Sequence, residues 1–322
     1  MNRVVKKILY MCSALMFLLT SCVRDGLEPC EPDGPRYFSY IQLKADYNIS
    51  GIDQISEVER VEVFMFDENE VFLGRLEHKP DPSNPIMGIP EAYEKACYFV
   101  VLGADEDGYY NYSVSNLTEG ISTKDEFTVS IDKGTLEAPF WHTYAVEKPN
   151  TPIQKNDIIV VTLIKYTKKI NVLVRYMDGL GADNSLLLPE EFDINLNAPY
   201  GTYDADNNVK GNVKWDYYSK GQYNNNTGVN TDLYTSRLFV DIPNVLSILY
   251  NDEEIFNEDL NETIRKVKEE EVGDRMTMQE YMDKQDQFSI EIGIEPRDTE
   301  NGYTGTLISI NDWVARDQPI GK

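Results

Sequence analysis

Residues 158–176 read IIVVTLIKYTKKINVLVRY, and their pattern decides the fold. Ile158 to Ile164 (IIVVTLI) and Ile170 to Tyr176 (INVLVRY) are runs of strand length, rich in β-branched residues that suit a pleated surface. Lys165-Tyr166-Thr167-Lys168-Lys169 separates them. A polar joint between two strands at mid-chain places a domain boundary near residue 166, between a first half (37–166) and a second (167–322).

Toward the N-terminus, Cys97 to Ala104 (CYFVVLGA) is unbroken and apolar, as expected of a strand buried on both faces, and Asp105-Glu106-Asp107-Gly108 ends it as a turn. Phe127 to Ile131 is a further strand, and a Pro-rich stretch at Pro149 and Pro152 leads on to Ile158. Val58 to Phe66 (VERVEVFMF) alternates, with Val61, Val63 and Met65 on one face. Asp67-Glu68-Asn69 turns the chain and Val71 to Arg75 returns it, as in a hairpin. Tyr37 to Lys44 alternates as a strand, whereas residues 80–92, with four prolines, read as a loop.

Toward the C-terminus, strands are predicted at Phe192 to Ala198, Ser236 to Ile242, Leu246 to Tyr250, Gln287 to Ile294 and Thr304 to Ile310. Polar stretches surround Asn207 and Asn224-Asn225-Asn226. Phe256, Leu260, Ile264 and Val267 recur at helical spacing and predict a helix within 253–271; a shorter one is predicted over Thr277 to Asp283. Many short strands in two halves, with one or two short helices in the second, give a mainly β chain of two tandem β-sandwich domains.

The first 21 residues are of another kind. Arg3, Lys6 and Lys7 precede an apolar stretch from Ile8 to Leu19, about a dozen residues, too short for the roughly 20 that span a bilayer. The stretch ends in Leu19-Thr20-Ser21-Cys22, which resembles a bacterial lipobox, so residues 1–21 read as a lipoprotein signal and Cys22 as the acylated (palmitate-bearing) new N-terminus. Residues 22–36, rich in Pro, Gly and charge, read as a tether. Val23 stands where an Asp often marks inner-membrane retention, which favours the outer membrane. Asp25, Glu28, Glu31 and Asp33 resemble the acidic export signals of Bacteroidetes surface lipoproteins.

Loss of the signal removes three cations and no acid, taking the net charge from −25 to −28. Such a body repels nucleic acid and anionic lipid head groups. Of four cysteines, Cys12 leaves with the signal and Cys22 is acylated. Cys30 and Cys97 remain, either as one disulfide tying the tether to the first domain or as separate thiols with Cys97 buried.

Chemistry leaves few traces. The chain has two histidines, His78 in a Pro-flanked loop and His142 beside Trp141, each expected to be a surface or packing residue. HExxH, Gly-rich phosphate loops and GxSxG are absent from the sequence, so no enzyme is expected. Glu190-Glu191 is expected on a solvated face. Asp204-Ala-Asp206-Asn-Asn208 starts like a calcium loop, but Val209 occupies the Gly position and Trp215 the Glu position, so a hairpin turn between Tyr203 and Val213 is expected instead. No metal or cofactor is expected. Tyr217 to Asn226 reads as a loop.

Several strings, in order along the chain, resemble one family. They are Cys22 followed by Cys30, VEVFMFDENEVFLG (Val61 to Gly74), VTLIKYTKKINVLV (Val161 to Val174), QEYMDKQDQFSIEI (Gln279 to Ile292) and SINDW (Ser309 to Trp313). Together they resemble the FimB/Mfa2 family, the fimbrillin-associated anchor lipoproteins of Bacteroidales, over nearly the whole mature chain. The resemblance implies two transthyretin-like β-sandwich domains in an outer-membrane lipoprotein at the base of a fimbria (type V pilus). Its partner would be a fimbrial shaft subunit (fimbrillin), and its task to hold the shaft and limit its assembly. Of the family's functional residues, the acylated Cys carries over, onto Cys22. Shaft subunits of this class exchange terminal strands, but Val314 to Lys322 is short for a donor and contains Pro319. Two alternatives stay open: an accessory or tip fimbrial subunit, and a surface glycan-binding lipoprotein of a polysaccharide-uptake system with a platform of Tyr217, Tyr218 and Tyr223.

Overall fold

The computed structural model describes residues 37–45, 57–105, 112–143, 146–147, 152–177, 182–211, 214–224, 226–296, 302–311 and 313–314. Residues 1–36 lie outside the described residues, as therefore do Cys22, Cys30 and the tether.

Before the KYTKK joint the strands are β1 (Tyr37–Ala45), β2 (Arg60–Phe66), β3 (Phe72–His78), β4 (Ile86–Pro90), β5 (Tyr98–Ala104), β6 (Tyr112–Val114), β7 (Thr128–Ile131), β8 (Phe140–His142), β9 (Val146–Glu147) and β10 (Ile158–Lys165). After it come β11 (Lys168–Tyr176), β12 (Phe192–Pro199), β13 (Thr202–Asp204), β14 (Val209–Lys210), β15 (Lys214–Lys220), β16 (Tyr223–Asn224) and β17 (Val229–Thr235). Next are β18 (Val245–Tyr250), β19 (Glu253–Asp259), α1 (Leu260–Glu271), α2 (Met278–Lys284), β20 (Gln287–Pro296), β21 (Tyr303–Ile310) and β22 (Trp313–Val314).

An eight-stranded sheet runs β3-β2-β5-β8-β10-β1-β4, with β9 beside β5. A six-stranded sheet runs β16-β17-β11-β20-β21-β22, and a four-stranded one β15-β12-β18-β19. The fourth sheet, β14-β13-β7-β6, draws strands from both sides of the joint. In the register of β13 with β7, Thr202 pairs with Ser130 and Tyr203 with Val129.

Strands β2 and β5 of the eight-stranded sheet are buried on both faces, because they carry apolar residues at nearly every position. Val61, Val63 and Met65 join Phe99 and Val101 in one core, while Phe64, Phe66, Val100 and Leu102 enter a second. That second core continues past the joint through Ile170, Val172 and Val174 of β11 and Ile290, Ile292 and Ile294 of β20. Leu196, Ile248, Leu260 and Ile264 close it from the other layer, a β-sandwich.

Four expectations are corrected. Residues 253–259 are strand, not helix: Asn251 and Asp252 both take positive φ (50° and 65°), the two-residue turn that suits a hairpin, so β19 pairs with β18. The helix starts at Leu260, where the Asp259 side chain caps the Asn261 N–H at 3.1 Å. Residues 236–242 are not strand; β17 ends at Thr235 because Ser236 and Arg237 turn into the core, Ser236 Oγ donating to the Pro199 carbonyl at 2.7 Å. Residues 80–92 hold β4, an edge strand flanked by Pro85 and ending on Pro90, as prolines on strands require. Tyr217 to Asn226 is not a loop throughout, since β15 pairs along β12 from Lys214 to Lys220 and β16 follows.

Candidate docking surface

Strand β10 is apolar at six of its first seven positions, and its pleat points Ile159, Val161 and Leu163 into the core. The other face stays open. Ile158 is 59% and Val160 46% exposed. The parallel register sets Tyr40 of β1 beside Ile158 and Gln42 beside Val160; on the far side of β1, Gln42 meets Ile86 of β4. The Tyr37 ring lies flat over Gly88, where a Cβ would come within 2.1 Å of it, so only glycine admits this packing. Tyr37 and Tyr40 have ring centroids 6.2 Å apart. An apolar strip of Tyr37, Tyr40, Ile86, Ile158 and Val160 thus crosses three strands to the sheet edge at β4.

Along β10 the same face continues through Thr162 and Ile164, where a groove of about 430 Å³ opens against Thr277, Gln279, Glu280 and Lys284 of α2 and its cap. Asp283 lies at its base and is held from below. Arg237 donates from Nε to Asp283 Oδ1 at 2.7 Å and from Nη2 to Oδ2 at 2.6 Å. Its Nη1 donates to the Asn207 carbonyl at 3.0 Å, and its plane sits 4.8 Å from the Phe239 ring. Lys168 Nζ donates to the Asp283 carbonyl at 2.7 Å. All of these charges are buried. The groove wall is therefore clamped to the joint and to the β13–β14 turn.

Burial, reinforced by Arg237, pushes the His142 imidazole down to about 3, and burial pushes the Lys168 amine down to about 7. Neither His142 nitrogen has a hydrogen-bond partner among the described residues, and the ring packs 5.2 Å from Tyr166. The unfolded chain binds more protons than the native one between about pH 3 and 6.5 at His142 and between about pH 7 and 10.5 at Lys168, so stability rises with pH across both windows. Urea titrations at pH 7 and pH 4 should show His142→Phe losing about 3 kcal/mol less stability than the natural chain over that drop. Equal losses would mean that His142 is protonated in place.

The sequence-derived candidates are dispersed. Cys97 is buried just before β5, its thiol donating to the Lys95 carbonyl at 3.7 Å; pairing with Cys30 lies outside the described residues. His78 ends β3 rather than lying in a loop. Glu190 and Glu191 sit in a short 3-10 turn. Asp204 Oδ1 accepts the backbone N–H groups of Asp206 and Asn208 at 2.9 Å each, so the Asp204–Asn208 segment is a hairpin turn that uses its own oxygens. Among the described residues no group of three or more His, Cys, Asp or Glu side chains is placed to hold a metal ion. The tyrosine platform does not form. Tyr217 is buried and donates to the Pro199 carbonyl at 2.8 Å, while the exposed Tyr218 and Tyr223 belong to different sheets.

A family model described as fimbrillin-A associated anchor proteins Mfa1 and Mfa2 matches residues 31–319. A search of curated proteins finds no match. Among solved structures, a polysaccharide-binding candidate from Bacteroides thetaiotaomicron aligns at a TM-score of 0.71 and 19% identity, covering 88% of this chain and 99% of that one. An adhesin candidate from Bacteroides ovatus aligns at 0.68 and 17%, covering 92% and 100%. The fimbrial anchor protein Mfa2 from Porphyromonas gingivalis aligns at 0.61 and 18%, covering 87% and 99%. At these identities the structural likenesses carry the fold, and the family match carries a fimbria-associated role at the cell envelope. The chain belongs to the family of fimbrillin-A associated anchor proteins Mfa1 and Mfa2.

Proposed function

We propose that this chain is an outer-membrane lipoprotein that anchors a fimbria to the cell surface and limits shaft assembly. Acyl chains on Cys22 supply retention and residues 22–36 supply reach. The body, folded as a domain before residue 166 and another after it, docks a fimbrial shaft subunit. The observation that carries the docking step is the exposed set of Ile158, Val160, Tyr37 and Ile86 reaching an edge strand, in a chain whose family is described as fimbrillin-associated. Exposed apolar surface of this kind marks interaction sites, and an edge strand offers unpaired backbone groups to an incoming strand.

Ile158→Asp with Val160→Asp tests it. Both side chains point to solvent, so the melting temperature should stay within a few degrees. Binding of purified shaft subunit, measured by surface plasmon resonance, should weaken at least tenfold: each lost side chain is worth about 1 kcal/mol, and the new carboxylates must be desolvated. In cells the same variant should release fimbriae to the medium. Unchanged affinity together with unchanged retention would sink the docking surface.

A further inference from the structure

A second cavity, which shares no lining residue with the strip, lies where β2 and β3 face the segment 112–119. Its volume is about 520 Å³, within the roughly 300–1,000 Å³ typical of sites for small organic groups. Glu62, Phe64, Phe72, Arg75, Tyr112 and Glu119 line it. The position of Glu62 is unusual. The strand's alternation puts it on the inward face beside Phe64 and Phe66, and it is only 3% exposed. A carboxylate taken this far out of water needs charge and hydrogen bonds to compensate.

The compensation is incomplete. Oε2 accepts the Tyr112 hydroxyl at 2.8 Å, but among the described residues Oε1 accepts no hydrogen bond. Its ion-pair partner among the described residues is Arg75 Nη1 at 3.5 Å, on a side chain that is 57% exposed, so solvent screens that contact. A second carboxylate, Glu119, stands on the cavity wall, and the rings of Phe64 and Phe72 offer surfaces that attract cations. Two carboxylates therefore face a single, peripheral guanidinium.

We propose that this cavity binds a lysine side chain presented by another protein chain. The site favours lysine over arginine because Tyr112 already occupies one Glu62 oxygen. A bidentate guanidinium needs both oxygens, whereas an ammonium needs one acceptor and a cradle. The chain's net charge of −25, or −28 without residues 1–21, draws basic partners toward it. Arg75, the group that holds Glu62 in the empty site, competes with the incoming ammonium. This site is independent of the docking strip and stands whether or not that reading does.

Calorimetric titration of the full mature chain with three capped tripeptides, Ala-Lys-Ala, Ala-norleucine-Ala and Ala-Arg-Ala, tests the assignment. The lysine peptide should bind at least tenfold more tightly than the norleucine peptide and several-fold more tightly than the arginine peptide. Glu62→Gln should abolish the lysine preference. Arg75→Met, a change at an exposed side chain that leaves Glu62 in place, should tighten lysine binding several-fold, and it decides the matter if Glu62→Gln loses its fold. Equal affinity for lysine and norleucine, equal affinity for lysine and arginine, or weaker lysine binding by Arg75→Met would each overturn the proposal. Ile158→Asp with Val160→Asp should leave these affinities unchanged, so failure of the docking strip and failure of this site are separately visible.

Discussion

Replacing Cys22 by alanine should move the protein, and the fimbriae with it, from the cell to the culture medium. The reason is the arithmetic of acyl burial. Each buried CH₂ contributes about 0.8 kcal/mol; one chain gives marginal, reversible binding and a second makes it lasting. Without the thiol there is no acylation, and a body with a net charge of −28 after signal loss gains nothing from anionic head groups. Among the described residues no helix is long and apolar enough to cross a membrane in compensation. Immunoblots of cells and medium, with electron microscopy of fimbrial length, give the readout, and soluble protein should replace cell-bound protein almost completely. Because the change also removes the lipoprotein processing site, a companion variant that carries Cys22→Ala behind a conventional cleavable signal separates loss of the lipid from loss of export. Fimbriae that stay on cells carrying the companion variant would reduce this chain to an accessory role.

Much of the strand content was legible because apolar runs with Gly/Asn/Asp punctuation sort themselves by period. CYFVVLGA is too continuously apolar for a one-sided sheet and is buried on two faces, whereas VERVEVFMF, whose alternation predicts one buried face, buries both because Phe64 and Phe66 fill the second. The errors came where one signal masked another. Phe256 fits a helical stripe with Leu260 and Ile264, yet Asn251-Asp252 was the stronger instruction, since two residues at positive φ make a hairpin and commit 253–259 to pairing. Leu-Phe-Val at 238–240 has strand composition, but a buried Arg237 needs its carboxylate more than the backbone needs a ladder. The site was less legible than the fold. IIVVTLI reads the same whether one face is covered or open, because apolar composition reports the strand and not its neighbours; the exposure of Ile158 and Val160 follows from which strands flank β10. KYTKK looks like a solvated joint, and nothing local says that Lys168 turns inward to a helix more than a hundred residues away.

Removing either partner of the Arg237–Asp283 pair should cost about 3–5 kcal/mol, the largest stability effect expected of any single change in the described residues. Asp283→Ala leaves a guanidinium buried with the Asn207 carbonyl as its main remaining acceptor, and it also takes Oδ1 from Gln279 Nε2, which donates to it at 3.0 Å. Arg237→Met leaves the carboxylate buried beside Lys168. For a body of this size the melting temperature should fall by roughly 5–10 °C in either variant. Arg237→Met with Asp283→Leu should recover much of that loss, because two apolar groups of similar shape need no compensation in a low-dielectric core. Calorimetry on the two single variants and the double variant closes the cycle, and single losses below about 1 kcal/mol would show that water reaches the pair. The clamp also bears on docking. Asp283 lies at the base of the groove, and α2 forms its wall, so Asp283→Ala should loosen that wall and weaken shaft-subunit binding with Ile158 and Val160 intact. The double variant, packed again, should regain affinity as it regains stability. If affinity returns without stability, the groove needs the absence of a buried charge rather than a fixed helix.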